Sequence, residues 1–253
     1  MLASCASPQG APSDSLRAEM VPKGTLRAAV NYGNPSIAQR DPAGGDPRGV
    51  GPDLARELAR RLGTPVRYVA YETAGKVADD AQNDVWDVAF LAIDPQRAAT
   101  ISFSDAYVEI GGTYLVRADS PLRRIDEFDR KGIRVAVALG SGYDLYLSRT
   151  LKNVELVRTA NSQAAVDRFL ADKLDAVAGV RELVTRNAKI HPGLRVLDEN
   201  FMVIRQAAAV PRGREAASRY LGAFIEEMKA SGFVAEAVKR SGSTDATVAP
   251  PAR

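Results

Sequence analysis

Residues Val85 to Tyr107 read VWDVAFLAIDPQRAATISFSDAY. Inside this stretch Val88, Ala89, Phe90, Leu91 and Ala92 are continuously apolar. Such a run suits a parallel strand covered on both faces. Asp94-Pro95 ends it with a turn signal. Arg97 then stands just beyond the carboxyl end of the strand, where open α/β sheets bind their ligands. A fixed, fork-shaped cation in that position can hold a carboxylate through two parallel hydrogen bonds. The plain alternative is a surface arginine paired with Asp94 or Glu109. Trp86 directly precedes the strand and is expected to pack rather than to stack on a ligand.

Working outward, the strand is the third of a series. Leu26–Val30 is a short apolar strand that ends in the turn cluster Asn31-Tyr32-Gly33-Asn34-Pro35. Pro52 suits the first turn of a helix through Asp53–Leu62, with Leu54, Leu58 and Leu62 on one stripe and Gly63 placed to end it. Val66–Tyr71 alternates as a strand, and a weaker helix lies near Gly75–Ala81. A second series follows the break at Asp119-Ser120-Pro121. Its strands are Ile133–Leu139, Val154–Val157, Leu174–Gly179 and the short Leu194–Leu197. Its helices carry Leu145, Leu147 and Leu151, then Val166, Phe169 and Leu170 behind the cap Ser162, then Arg181–Ile190. Two helices, Glu215–Ala230 and Phe233–Arg240, close the pattern.

Alternating βαβ units call for parallel sheets covered by helices. Two extended segments, Thr113–Arg117 after Gly111-Gly112 and Ile204–Val210, are placed to join the two units. The expected organisation is a lobe of residues 23–113 and 205–242, and a second lobe of residues 114–204. Residues 1–22 and 243–253 read as a disordered leader and a disordered tail. Two lobes joined by two strands leave a cleft, and hinge closure around a ligand is a known behaviour of that layout.

Composition narrows the function. The 253 residues are 45% hydrophobic and 26% charged, with a net charge of +3. Lys and Arg are dispersed, so no nucleic-acid footprint is indicated. Cys5 and His191 are the only residues of their types. That removes internal disulfides, cysteine metal sites and histidine triads. Leu2-Ala3-Ser4-Cys5 has the form of a bacterial lipobox followed by a polar tether, ASPQGAPSDS, although no charged and apolar leader precedes it. Cys5 is therefore a candidate lipid anchor or a free thiol in a tail.

Three loops should meet in the cleft: Asn31–Pro35, Asp94–Arg97 and Gly140–Tyr143. The third has glycines at a strand-to-helix turn, where the backbone can approach closely and free N–H groups attract an anion. Tyr32 and Tyr143 are candidate ligand contacts by position. A dinucleotide fingerprint is not met, because Leu145 stands where a further glycine would be needed.

The ordered set resembles the bacterial extracellular solute-binding proteins of family 3, over roughly residues 22–242. It is carried by Gly49 to Leu54, by the run from Asp87 through Arg97, Phe103, Ser104 and Tyr107, by Gly140-Ser141-Gly142, and by Leu174-Asp175-Ala176-Val177. The resemblance implies a two-lobed periplasmic binding protein fold of type II, with two lobes joined by two crossing strands. It implies a monomeric, periplasmic, cofactor-free component of an ABC transporter that delivers a small carboxylate ligand to a permease. Arg97 would then hold the ligand's α-carboxylate, assisted by Ser141 and Gly142. Asn31 stands at a position often held by Asp, and Asn34 at one often held by an aromatic residue.

Two departures bear on the ligand. Ala92 replaces a usual Ser or Thr donor, and Val180, followed by Arg181, stands where the family places the Asp that binds the ligand's amine. An unpaired ammonium in a closed cleft is costly. Either another acid, such as Asp144 or Glu182, supplies the missing charge, or the ligand lacks an α-amine. A dehydratase-like enzyme on the same fold, and a sensory or interaction module with a degenerate cleft, are the alternative readings.

Overall fold

A computed structural model describes residues 13–252. Cys5 and its neighbours lie outside the described residues. The elements in chain order are α1 (Asp14–Met20), β1 (Leu26–Asn31), α2 (Val50–Leu62), β2 (Val66–Tyr71), α3 (Ala74–Asp79), β3 (Val88–Ala92), β4 (Ile101–Arg117), β5 (Arg134–Ala138), α4 (Gly142–Thr150) and β6 (Glu155–Thr159). There follow α5 (Ser162–Ala171), β7 (Ala176–Val180), α6 (Arg181–Ile190), β8 (Leu194–Val196), β9 (Met202–Pro211), α7 (Glu215–Ala230), α8 (Phe233–Ser241) and β10 (Thr247–Val248).

The strands line up as β2-β1-β3-β9-β4-β7-β5-β6. Parallel triplets lie at each end, and the antiparallel pair β9 and β4 runs between them. This is the two-lobed arrangement of the periplasmic binding proteins of type II. Two separate cores explain the division. Leu54, Leu58 and Leu62 of α2 are fully buried against β1 and β3, together with Leu221, Phe224 and Ile225 of α7. Each such leucine contributes about 1.5–3 kcal/mol on leaving water. Gly63 ends α2 in the left-handed region at φ 61°, a conformation that costs glycine least. The second core gathers Val135, Val137, Val166, Phe169 and Val177, with Tyr114 stacked on Phe128 at 3.9 Å between ring centres. The change of core falls between Val108 and Ile110 on β4, and between Ala208 and Ile204 on β9. These paired strands connect the two cores.

One buried ionic knot fixes the first lobe. Asp87, fully buried ahead of β3, accepts hydrogen bonds from Arg27 Nε at 2.9 Å, Arg27 Nη2 at 2.7 Å and Arg214 Nη1 at 3.0 Å. Its hydrogen bonds raise the pKa of Arg27 above the ordinary value. Trp86 is buried and donates Nε1 to Val77 O at 3.0 Å, in keeping with a packing role.

Three expectations differ from the structure. Residues 14–20 form a helix, because Leu16 and Met20 insert into the first core and Glu19 accepts the Ala217 N–H at the start of α7. The first crossing strand does not begin at Thr113; β4 runs unbroken from Ile101. Gly111 and Gly112 sit inside it, since a Cβ at either would meet Asn200 at 2.6 Å or Met202 at 3.0 Å. The C-terminal segment is ordered by backbone bonds. Thr247 and Val248 pair with Glu109 and Val108, Ala249 N–H donates to Tyr107 O, and Gly111 N–H donates to Asp245. Ser243 also donates to Glu182 on the second lobe.

Candidate functional site

Arg97 opens a single 3-10 turn just past β3. Asp94 builds that turn: its carboxylate accepts the Gln96 N–H at 2.9 Å and its carbonyl accepts the Ala98 N–H at 3.0 Å. The geometry drives the guanidinium inward, where it is 4% exposed. Nη1 donates to Ala92 O at 2.9 Å, and Nη2 reaches across the cleft to Gly140 O at 2.8 Å. Nε is buried without a partner. Burial pushes the pKa of Arg97 down to about 10, with Asp94 opposing the shift. The group remains a cation at neutral pH, and a buried cation served mainly by neutral carbonyls attracts an anion.

The second lobe presents the start of α4 to this cation. Ser141 caps the helix by accepting the Asp144 N–H at 3.1 Å, and Asp144 accepts the Gly140 N–H at 2.9 Å and the Arg158 Nε–H at 3.1 Å. These bonds rigidify the loop. Gly142 and Tyr143 keep first-turn N–H groups of the kind that have no intrahelical partner. Gly142 is also a point of close approach between the lobes, because a Cβ there would lie 3.0 Å from Ala92 Cβ.

A cavity of about 40 Å³ lies between the lobes. Asn31, Asn34, Ala92 and Arg97 line it from one side, and Ser141, Gly142, Tyr143 and Val180 from the other. Asn31 Oδ1 accepts the Gly33 N–H, while Asn34 Oδ1 is buried without a partner. Ser162 Oγ donates to Gly33 O across the cleft at 3.1 Å. Its proton is thus committed, so the 3.1 Å contact with Tyr143 is donated by the tyrosine.

Tyr32 and Arg181 are placed elsewhere. Arg40 covers the Tyr32 ring at 4.1 Å from its centre. Arg181 donates to Leu197 O, Asp198 O and Asn200 Oδ1, fixing the loop after β8. Neither suggested acid reaches the cavity. Asp144 is spent on its own loop and Arg158, and Glu182 accepts from Ser36 at 3.0 Å and from Ser243.

Thr73, Phe90, Ser162 and Gln206 line the cavity without being expected there from sequence; Ser162 is not the cap of α5, a place taken by Asn161, whose side chain accepts the Ala164 N–H. Gln206 carries one local signal: it is the lone uncharged polar residue in the apolar stretch Phe201–Val210. It is buried opposite Ala92 in the β3–β9 register, and its side-chain amide makes no hydrogen bond among the described residues.

Known proteins place this arrangement. A glutamine-binding protein of Geobacillus stearothermophilus is 26% identical over 184 residues, covering 71% of this chain and 70% of that protein. Among solved structures, a solute receptor for L-cysteine of Neisseria gonorrhoeae matches with a TM-score of 0.78 at 21% identity, over 90% of this chain and 93% of that one. The ancestral amino acid-binding protein AncCDT-1, a precursor of cyclohexadienyl dehydratase, matches with a TM-score of 0.76 at 22% identity, over 91% and 100%. Among the described residues no helix is long and apolar enough to cross a membrane. Residues 26–243 match the model of the bacterial extracellular solute-binding proteins, family 3, and the chain belongs to that family.

Proposed function

We propose that the chain captures a small carboxylate-bearing ligand, an amino acid or an organic acid, and delivers it as a periplasmic monomer to an ABC permease. Residues 23–113 with 205–242 move against residues 114–204, bending at β4 and β9. Arg97 holds the carboxylate, with the N–H groups at the start of α4 facing it. The single observation that carries this reading is the buried Arg97 guanidinium, with one nitrogen unpartnered, between the lobes. The dehydratase-like alternative needs a group able to move a proton against the ligand; among the described residues the cavity lining holds no carboxylate, imidazole or lysine, and its phenol, Tyr143, is hydrogen-bonded to Ser162.

Thermal denaturation with small carboxylic acids, each paired with its primary amide, tests the reading. A ligand at about 100 times its Kd stabilises the folded state by about 2.7 kcal/mol, a rise of roughly 5–11 °C for a chain of this size. At least one acid should give that rise and its amide should not. Equal stabilisation by acid and amide, or none by any acid, would refute carboxylate capture.

Closure has its own test. Gly142→Ala adds a methyl group that meets Ala92 only when the lobes are together. Alanine is a better helix former than glycine, so the unliganded protein should melt no lower. Affinity for the stabilising acid should fall about tenfold, near 1.4 kcal/mol, by titration calorimetry.

A further inference from the structure

The cavity is lined by one cation and no anion among the described residues. Asp94, whose charge acts on Arg97, does not line it; that carboxylate is held by Arg149 Nη2 at 2.8 Å and by the Gln96 N–H. From this imbalance we infer that the ligand is a carboxylate without an α-amine, a monoanion carrying a neutral hydrogen-bonding group such as a 2-hydroxyl or 2-oxo oxygen. This rests on the carboxylate capture proposed above and names its substrate class.

The charges decide it. A monoanion on Arg97 leaves the closed site neutral. A zwitterion satisfies Arg97 but brings a second cation into a space that offers it only dipoles, and a desolvated ammonium needs a counter-charge. A dicarboxylate leaves the opposite excess. The neutral groups present suit a hydroxyl or oxo oxygen. Asn34 Oδ1 is buried and unpartnered, so it can accept from a ligand hydroxyl. The Gln206 amide, buried and unbonded, can donate and accept. Val180 occupies the N-cap of α6 and gives that helix no side-chain cap. A carboxylate there would both cap the helix and face the cavity, since Asp is among the favoured N-cap residues.

The experiment is titration calorimetry on the intact protein with matched pairs: L-alanine against L-lactate, L-leucine against 2-hydroxy-4-methylpentanoate, and L-glutamine against its 2-hydroxy counterpart. Within every pair that binds, the hydroxy acid should bind at least tenfold tighter. Tighter binding of the amino acid would overturn this inference while leaving carboxylate capture standing. Failure of all six to bind would overturn both. In Val180→Asp the preference within the pair should reverse, with the hydroxy acid weakened at least tenfold and the amino acid strengthened. An unchanged preference in that variant would overturn the charge account, provided its unliganded melting temperature equals or exceeds that of the wild type. Val180→Asn, uncharged but also a helix cap, should leave the wild-type preference in place; a reversal with Asn would equally sink the argument.

Discussion

Replacing Arg97 by alanine is expected to abolish ligand binding, weakening it by at least about 100-fold in titration calorimetry. Removing one partner of a buried, hydrogen-bonded charge pair costs about 2–5 kcal/mol, which is roughly 30- to several-thousand-fold in affinity. The loss is larger here because Arg97 also ties the lobes together. Nη1 and Nη2 serve Ala92 O and Gly140 O, one carbonyl from each side of the cleft. Without the guanidinium both carbonyls lose a buried donor as closure begins. Arg97→Lys should retain part of the affinity, since it keeps the charge but not the planar fork. Unaltered affinity in Arg97→Ala would remove the carboxylate clamp from consideration.

The largest effect on stability is expected from Asp87→Ala. Asp87 is fully buried and answers Arg27, which is 4% exposed, and Arg214. Removing one member of a buried ion pair costs about 3–5 kcal/mol, and Arg27 is then left with the exposed Asp84 as its only carboxylate partner among the described residues. For a chain of this length that is a fall of about 6–20 °C in melting temperature. Replacing Asp87 and Arg27 together by apolar residues should recover a large part of the loss, because no buried charge is then left between them. Thermal denaturation of the two variants checks this. A single variant within 2 °C of wild type would mean that water reaches the knot.

Asp87 also shows how legibility divides. The strand it precedes, Val88–Ala92, is buried along its whole length and announces itself as an apolar run. α2 does so through Leu54, Leu58 and Leu62. The first half of β4 does not. Ser102, Ser104, Asp105 and Glu109 interrupt it, and Gly111-Gly112 imitates a break, because the strand is specified by its partner β9 rather than by its own pattern. α1 is only seven residues long and carries just two buried anchors, Leu16 and Met20, too few for a periodic signal. In the cleft, the place of Arg97, Ser141 and Gly142 in the cavity lining was readable because each follows a strand end, where open α/β sheets form their clefts. Tyr32 follows a strand just as closely, yet Arg40 claims its ring, a contact no local pattern contains. Gln206 enters from the middle of a crossing strand and depends on the β3–β9 pairing for its position.

That crossing also bears on how the molecule avoids its own kind. A hinge strand must bend, and a strand whose flank lies open offers unpaired N–H and C=O groups to any other chain. Along Tyr107–Gly111 the protein closes that flank itself, with Thr247, Val248, Ala249 and Asp245. The closing-off uses main-chain bonds at Thr247, Val248 and Ala249, and a side chain at Asp245, whose carboxylate accepts the Gly111 N–H. A chain cut back to residue 242 for a reporter fusion would bare the flank of this crossing strand, leaving a template for strand exchange and clumping.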